Sequence, residues 1–157
     1  MSAQKKRLKE VIQRLYKPLP GPRQAFALSR ADAEQLPRLS SVAVISITAS
    51  DRLPAQLGGF EHLLRLSFSD VDHLNPNISP RARERVPDAF TTAHARQIRE
   101  FVDALPAAIT TVVVHCEGGY SRSCAVVLGL HRLLGYQVDV DALKQANQSV
   151  LRLLTGQ

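Results

Sequence analysis

Cys116, Arg122 and Ser123 are the side chains of this sequence whose types and spacing best fit one reaction. They belong to the run His115-Cys116-Glu117-Gly118-Gly119-Tyr120-Ser121-Arg122-Ser123. The run is entered from Thr111-Val112-Val113-Val114 and left through Cys124-Ala125-Val126-Val127-Leu128-Gly129-Leu130. That order predicts a buried strand, a tight glycine-bearing loop and a helix. A loop that feeds a helix N-terminus turns several backbone N–H groups toward one point, and the helix dipole adds positive potential there. Such a cradle suits a phosphate-sized dianion. A Cys at its base places a sulfur nucleophile beneath the bound phosphorus.

Each residue type has a reason. The thiolate is the nucleophilic form of Cys, and convergent N–H dipoles with a nearby guanidinium favour the charged state. Arg122 is suited to bidentate contact with two phosphoryl oxygens, a geometry Lys cannot match. Those oxygens carry charge in the loose transition state, so one Arg serves binding and catalysis. The Ser123 hydroxyl is placed to hydrogen-bond the sulfur when it leaves phosphorus. Gly118 and Gly119 allow the turn without a Cβ in the phosphate's path. Glu117, Tyr120 and Ser121 supply the rest of the binding loop through their backbone. His115, at the strand end, is expected to orient the loop by hydrogen bonds and not to transfer protons.

The pattern His-Cys-x-x-Gly-x-x-Arg-Ser resembles the signature of the cysteine-based protein tyrosine phosphatases. The compact chain resembles their dual-specificity-like branch, and within it is similar to small bacterial tyrosine phosphatases. Cys116, Gly119, Arg122 and Ser123 match the signature residue by residue. A Cys at position 116, far from the N-terminus, sets the low-molecular-weight branch aside. The resemblance implies a phospho-cysteine intermediate, no cofactor, and an Asp acid on a loop after an earlier strand. Leu63-Leu64-Arg65-Leu66-Ser67-Phe68 reads as that strand and runs into Ser69-Asp70-Val71-Asp72-His73. The Phe-x-Asp arrangement nominates Asp70. The longer spacing in other members of the family leaves Asp72 as the alternative.

The rest of the chain bounds these readings. Its 157 residues, 45% of them apolar and 22% charged, suit one soluble domain with a proper core. The expected fold is α/β, a central and mostly parallel sheet of four to five strands flanked by helices. No apolar run reaches the roughly 20 residues of a membrane span, and stable membrane insertion is not expected. The N-terminus lacks the apolar region of a secretory signal. A site that needs a reduced thiol fits the cytoplasm.

The net charge of +6 is unevenly spread. Lys5, Lys6, Arg7, Lys9, Arg14 and Lys17 against Glu10 give residues 1–17 a balance of +5. The remaining chain is close to neutral, and with no Trp it offers nucleic acid neither a basic face nor a stacking platform. Leu8, Val11, Ile12 and Leu15 fall on one helical face. This N-terminal helix is expected to pack on the domain, the other reading being a basic surface that touches an acidic membrane or partner. The Pro18-Leu19-Pro20-Gly21-Pro22 connector ends it. Residues 1–22 are therefore read as an appendage and 23–157 as the catalytic domain.

Beyond the connector the sequence predicts strands at 24–28, 42–47, 63–68 and 111–115. Helices are expected at 29–36, within 90–105, over 122–134 and from Asp139 or Asp141 to about Leu154. Residues 75–87 are expected to form a long polar loop. Its Arg81, Arg83 and Arg85 are placed to attract acidic residues around a phosphotyrosine. Cys124 reads as a small packing residue, or as a resolving thiol for an oxidised Cys116. No His spacing suggests a metal site. The function expected is a protein-tyrosine phosphatase, with dual specificity open and a phosphotyrosine protein as substrate. The loop carries Glu117 and no interior Lys or Arg, which points away from polyanionic substrates. The competing reading is a phosphate-recognising pseudophosphatase that binds without turnover. Oligomeric state is not legible.

Overall fold

Val42-Ala43-Val44-Ile45-Ser46-Ile47 and Thr111-Val112-Val113-Val114 have no polar face, so each needs cover on both sides. The computed structural model, which describes residues 2–156, provides it. Strand β1 spans Gln24–Ser29, β2 Val42–Thr48, β3 His62–Ser67 and β4 Thr111–Cys116. They form one four-stranded sheet in the order β1-β4-β2-β3, every pair parallel. The two central strands are the apolar ones. β4 is buried along its whole length and β2 at all but Thr48.

The crossovers from β1 to β2 and from β3 to β4 carry helices, as is usual for parallel pairing, whereas residues 49–61 join β2 to β3 without one. Helix α1 (Ala3–Tyr16) precedes β1, and α2 (Arg30–Glu34) links β1 to β2. Between β3 and β4 run the short α3 (Pro80–Arg83), a 3₁₀ turn at Val86–Asp88, and α4 (Thr92–Asp103). After β4 come α5 (Arg122–Leu134), a 3₁₀ turn at Val140–Leu143, and α6 (Gln148–Thr155). Side chains alternate across the sheet with the period of a strand. Ala43, Ile45, Ile47, Val112 and Val114 pack with Ile98, Val102, Val126, Leu130, Val150 and Leu154 of α4, α5 and α6. Val42, Val44 and Val113 face the other way, onto Leu8, Val11 and Leu15 of α1 and Ala33 of α2. The fold is thus an α/β domain with helices on both faces of a parallel sheet. The apolar stripe of α1 lies against the body, and its Lys5, Lys6 and Lys9 face solvent.

Two expectations change. The helix predicted from 139 or 141 to 154 is broken, and only its second half is α-helical. The cause is Asn147. It holds an extended conformation, its side chain accepts from the Val150 N–H at 3.1 Å, and its own N–H donates to the Ser121 carbonyl. A residue so tied caps a new helix and cannot continue an old one. The polar loop at 75–87 also contains α3, because Ser79 caps Ala82 and Pro80 is tolerated in the first turn.

Candidate active site

The carboxyl ends of parallel strands are where open α/β sheets gather their functional groups, and β4 ends at Cys116. The loop that follows is pressed onto the end of β1, whose Ser29 pairs in register with Cys116. Gly119 has φ +80°, and a Cβ there would lie 2.6 Å from the Ser29 nitrogen and 2.7 Å from the Leu28 carbonyl carbon. Only Gly fits. The Arg30 N–H donates to the Glu117 carbonyl at 3.2 Å and ties the same stretch to α2.

Folded this way, the loop brings Cys116, Arg122 and Ser123 together. The Gly119 N–H donates to Cys116 Sγ at 3.3 Å, and Ser123 Oγ hydrogen-bonds the same sulfur at 3.1 Å. Arg122 begins α5 and is only 7% exposed. Its Nη1 donates to the Phe68 carbonyl at 2.9 Å, while its buried Nε has no hydrogen-bond partner. No carboxylate pairs with it among the described residues. A buried guanidinium N–H without an acceptor costs about 1–3 kcal/mol or more. An anion at this position would supply one. Ser121 occupies the N-cap of α5 but makes no side-chain cap, so the first N–H groups of that helix are not claimed by it.

The two acid candidates have separate environments. Ser121 Oγ donates to Asp70 Oδ1 at 2.8 Å, and Asn147 Nδ2 donates to the same oxygen at 2.9 Å. Asp70 is exposed and joined to the Cys loop. Asp72 is turned to α6, where the Ser149 N–H at 3.2 Å and the Ser149 hydroxyl both donate to its Oδ1. Asp72 has no bond to the Cys loop among the described residues.

The segment carrying these carboxylates is anchored on its inner side. Phe68 is fully buried, with ring centroids 4.9 Å from Phe90 and 5.2 Å from His94. The Ser69 hydroxyl donates to Asp88 Oδ2 at 2.7 Å, and the Ser50 hydroxyl reaches the same oxygen at 3.0 Å. Burial works against the charged form of Asp88, but these hydrogen bonds outweigh it and hold the carboxyl below its usual range.

His115 sits under the Cys, wholly buried. Burial holds its imidazole below the usual range, so the ring is neutral at pH 7. Its Nδ1 donates to the Cys116 carbonyl at 3.2 Å, which leaves Nε2 to accept from the Ser46 hydroxyl at 2.6 Å. The ring braces the strand end. Cys124 faces carbonyls: its thiol lies 3.4 Å from Gly119 O and 3.6 Å from Ala142 O. Burial, with the nearby Cys116 sulfur, pushes it up to about 11.

At the rim, Glu117 is paired with two cations that the sequence does not bring near it. Its Oε1 is 2.7 Å from Arg52 Nη2, and its Oε2 is 3.8 Å from Arg30 Nη1. The expectation that Glu117 repels polyanions by its charge alone is therefore incomplete. Tyr120 is 64% exposed, and its ring lies against Gly118. Arg81, Arg83 and Arg85 are exposed around α3. Among the described residues no group of three or more His, Cys, Asp or Glu is arranged to hold a metal ion, and no helix is long and apolar enough to cross a membrane.

Sequence reasoning missed Asn147, Ser149, Asp88, Ser46 and Arg52. Only Asn147 carried a readable signal, a capping residue before Val150, Leu151 and Leu154. Compared with known proteins, the chain is similar to the crystal structure of human DUSP28, at 20% identity and a TM-score of 0.44, over 84% of this chain and 89% of that one. No protein-family model matches the sequence, and no curated protein matches it.

Proposed function

We propose that this chain is a protein-tyrosine phosphatase that works through a phospho-cysteine on Cys116. The observation that carries the reading is the buried Arg122 guanidinium, whose Nε has no acceptor, in the loop that cradles the Cys116 sulfur. A phosphoryl group seated there receives Nε–H from the Arg and N–H groups from the loop. In the first step the thiolate attacks phosphorus, an S–P bond forms and the P–O bond to the phenol breaks. Asp70 gives its proton to the leaving oxygen. In the second step water attacks phosphorus and loses its proton to Asp70, while the S–P bond breaks. Inorganic phosphate leaves, and the Ser123 hydroxyl stabilises the departing thiolate.

Asp70 is favoured as the acid because its carboxyl is joined to the Cys loop through Ser121, whereas Ser149 occupies Asp72. A singly phosphorylated tyrosine is favoured because Arg122 is the only cation within the loop. The rim cations Arg30 and Arg52 are engaged by Glu117, and Arg30 also by the Leu53 and Pro54 carbonyls. The test is aryl phosphate hydrolysis in the presence of EDTA, comparing the native chain with Cys116→Ser. Vanadate-sensitive turnover, lost in the variant, is expected. Tight binding of a phosphotyrosine peptide without turnover by the native chain would overturn the enzyme reading in favour of a binding module.

A further inference from the structure

Asn147 is 7% exposed and uses every polar group it has. Its side-chain oxygen caps α6 through the Val150 N–H, its backbone N–H donates to the Ser121 carbonyl, and its carbonyl accepts from the Leu151 N–H. The remaining donor, Nδ2, goes to Asp70. One residue therefore touches the Cys loop through its backbone, and the acid loop and α6 through its side chain, segments that lie far apart in the sequence.

Both donors that reach Asp70, the Ser121 hydroxyl and Asn147 Nδ2, end on Oδ1. No described hydrogen bond ends on Oδ2. A carboxyl with one oxygen held by two donors binds its proton on the other. We propose that Asn147 is the positioning residue of the acid: it pins Asp70 Oδ1 so that Oδ2 presents the proton to the leaving oxygen. The inference rests on the phosphatase reading and adds to it the residue that aims the acid. The chemistry of the amide explains the choice at this position. Asp and Ser cap helices about as well as Asn. Asp has no donor and would set a second carboxylate beside Asp70, and Ser has a single oxygen for both tasks where Asn has a separate acceptor and donor. The 2.9 Å bond to Asp70 is thus a requirement that capping alone does not impose.

Asp72 is the internal contrast. It is bound by the same turn of α6 through the Ser149 N–H and hydroxyl. A backbone N–H at a helix start favours an anion and anchors it there. The first turn of α6 thus fastens one carboxylate as a strut and orients the other.

The experiment compares Asn147→Ser and Asn147→Asp, which both keep a capping acceptor, on two esters. One is phenyl phosphate, whose leaving oxygen needs a proton. The other is 2,4-dinitrophenyl phosphate, whose leaving oxygen does not. We expect kcat on phenyl phosphate to fall about tenfold or more, part of the full contribution of a general acid. The activated ester should change less than about twofold, as expected when an acid's contribution is not needed. In an Asp70→Asn background the Asn147 changes should add nothing. A merely structural role would lower both esters alike and would add to Asp70→Asn, and either result overturns the proposal. If Asp70→Asn discriminates between the esters and the Asn147 variants do not, the positioning role alone falls. If Asp70→Asn does not discriminate, the acid assignment falls and takes this inference with it. Thermal melting of both variants checks that the fold is kept.

Discussion

The two loops that meet at Cys116 are built on different plans. The nucleophile loop is largely held by itself: Gly119 N–H and Ser123 Oγ on the sulfur, Arg122 at the helix start, all within eight residues of one another. The acid loop has almost no contacts of its own. Phe68 is fixed by Phe90 and His94, Ser69 by Asp88, Asp70 by Ser121 and Asn147, and Asp72 by Ser149. Once seated against β1, such a loop keeps its chemistry as long as its short motif is intact. A loop held by other elements responds to changes far from it, and this is where small substitutions should separate binding from turnover.

The comparison can be broken most severely at the residue that joins the two loops. Arg122→Lys loses both the planar fork and the tie to the Phe68 carbonyl. It should lower kcat/KM on aryl phosphates about a thousandfold or more, and phosphate inhibition measured in parallel should weaken. Survival of near-native kcat/KM would show that the guanidinium does not serve the reaction. The next test applies one substitution at two carboxylates. Asp70→Asn should cost about a hundredfold in kcat on phenyl phosphate. Asp72→Asn, which keeps an acceptor for Ser149, should leave kcat nearly unchanged. Reversed effects would move the acid to Asp72.

The smallest effect concerns the second thiol. Gly119 turns its N–H to Cys116 and its carbonyl toward Cys124, so the two peptide groups of one residue treat the two sulfurs oppositely. In a Cys116→Ser chain, Cys124 should resist iodoacetamide at pH 8 when folded and react readily in urea. Its raised pKa contributes stability that is fully present below the unfolded value, 9.0, and is lost as the pH rises through about 11. A chain carrying Cys124→Ala should accordingly lose less melting temperature than the native chain between those pH values. Rapid labelling of Cys124 at pH 8 would instead revive its reading as a resolving thiol.

The same division decides what was legible. The four strands, the loop and α5 were readable because each rests on local pattern: near-continuous apolar runs in β2 and β4, short apolar stretches in β1 and β3, then glycines, then a helical stripe. The parallel order of the strands agrees with the α/β reading. Cys116, Arg122 and Ser123 were readable because their chemistry is concentrated in one short run. The Phe-x-Asp spacing nominated Asp70 over Asp72, but the contacts that support this proposal could not be read, since they come from Asn147 and Ser149, more than 70 residues away. The broken helix before Asn147 has the same origin. Its apolar spacing is helical, but a tertiary bond to Ser121 overrides propensity there. Arg52 beside Glu117 had no sequence signal at all, because exposed Arg residues look alike until the fold pairs them.

The close approach of Gly119 to Leu28 and Ser29 has a consequence in time. The motif is contiguous, but its shape is cast against β1, which meets β4 through partners such as Gln24 and Thr111, 87 residues apart. Contacts of that span close late, because the loop entropy must be overcome first. Until the edge of the sheet is complete, the chain holds an ordinary cysteine with no mould around it. Turnover would then report on the finished sheet, and a half-folded molecule would be chemically silent.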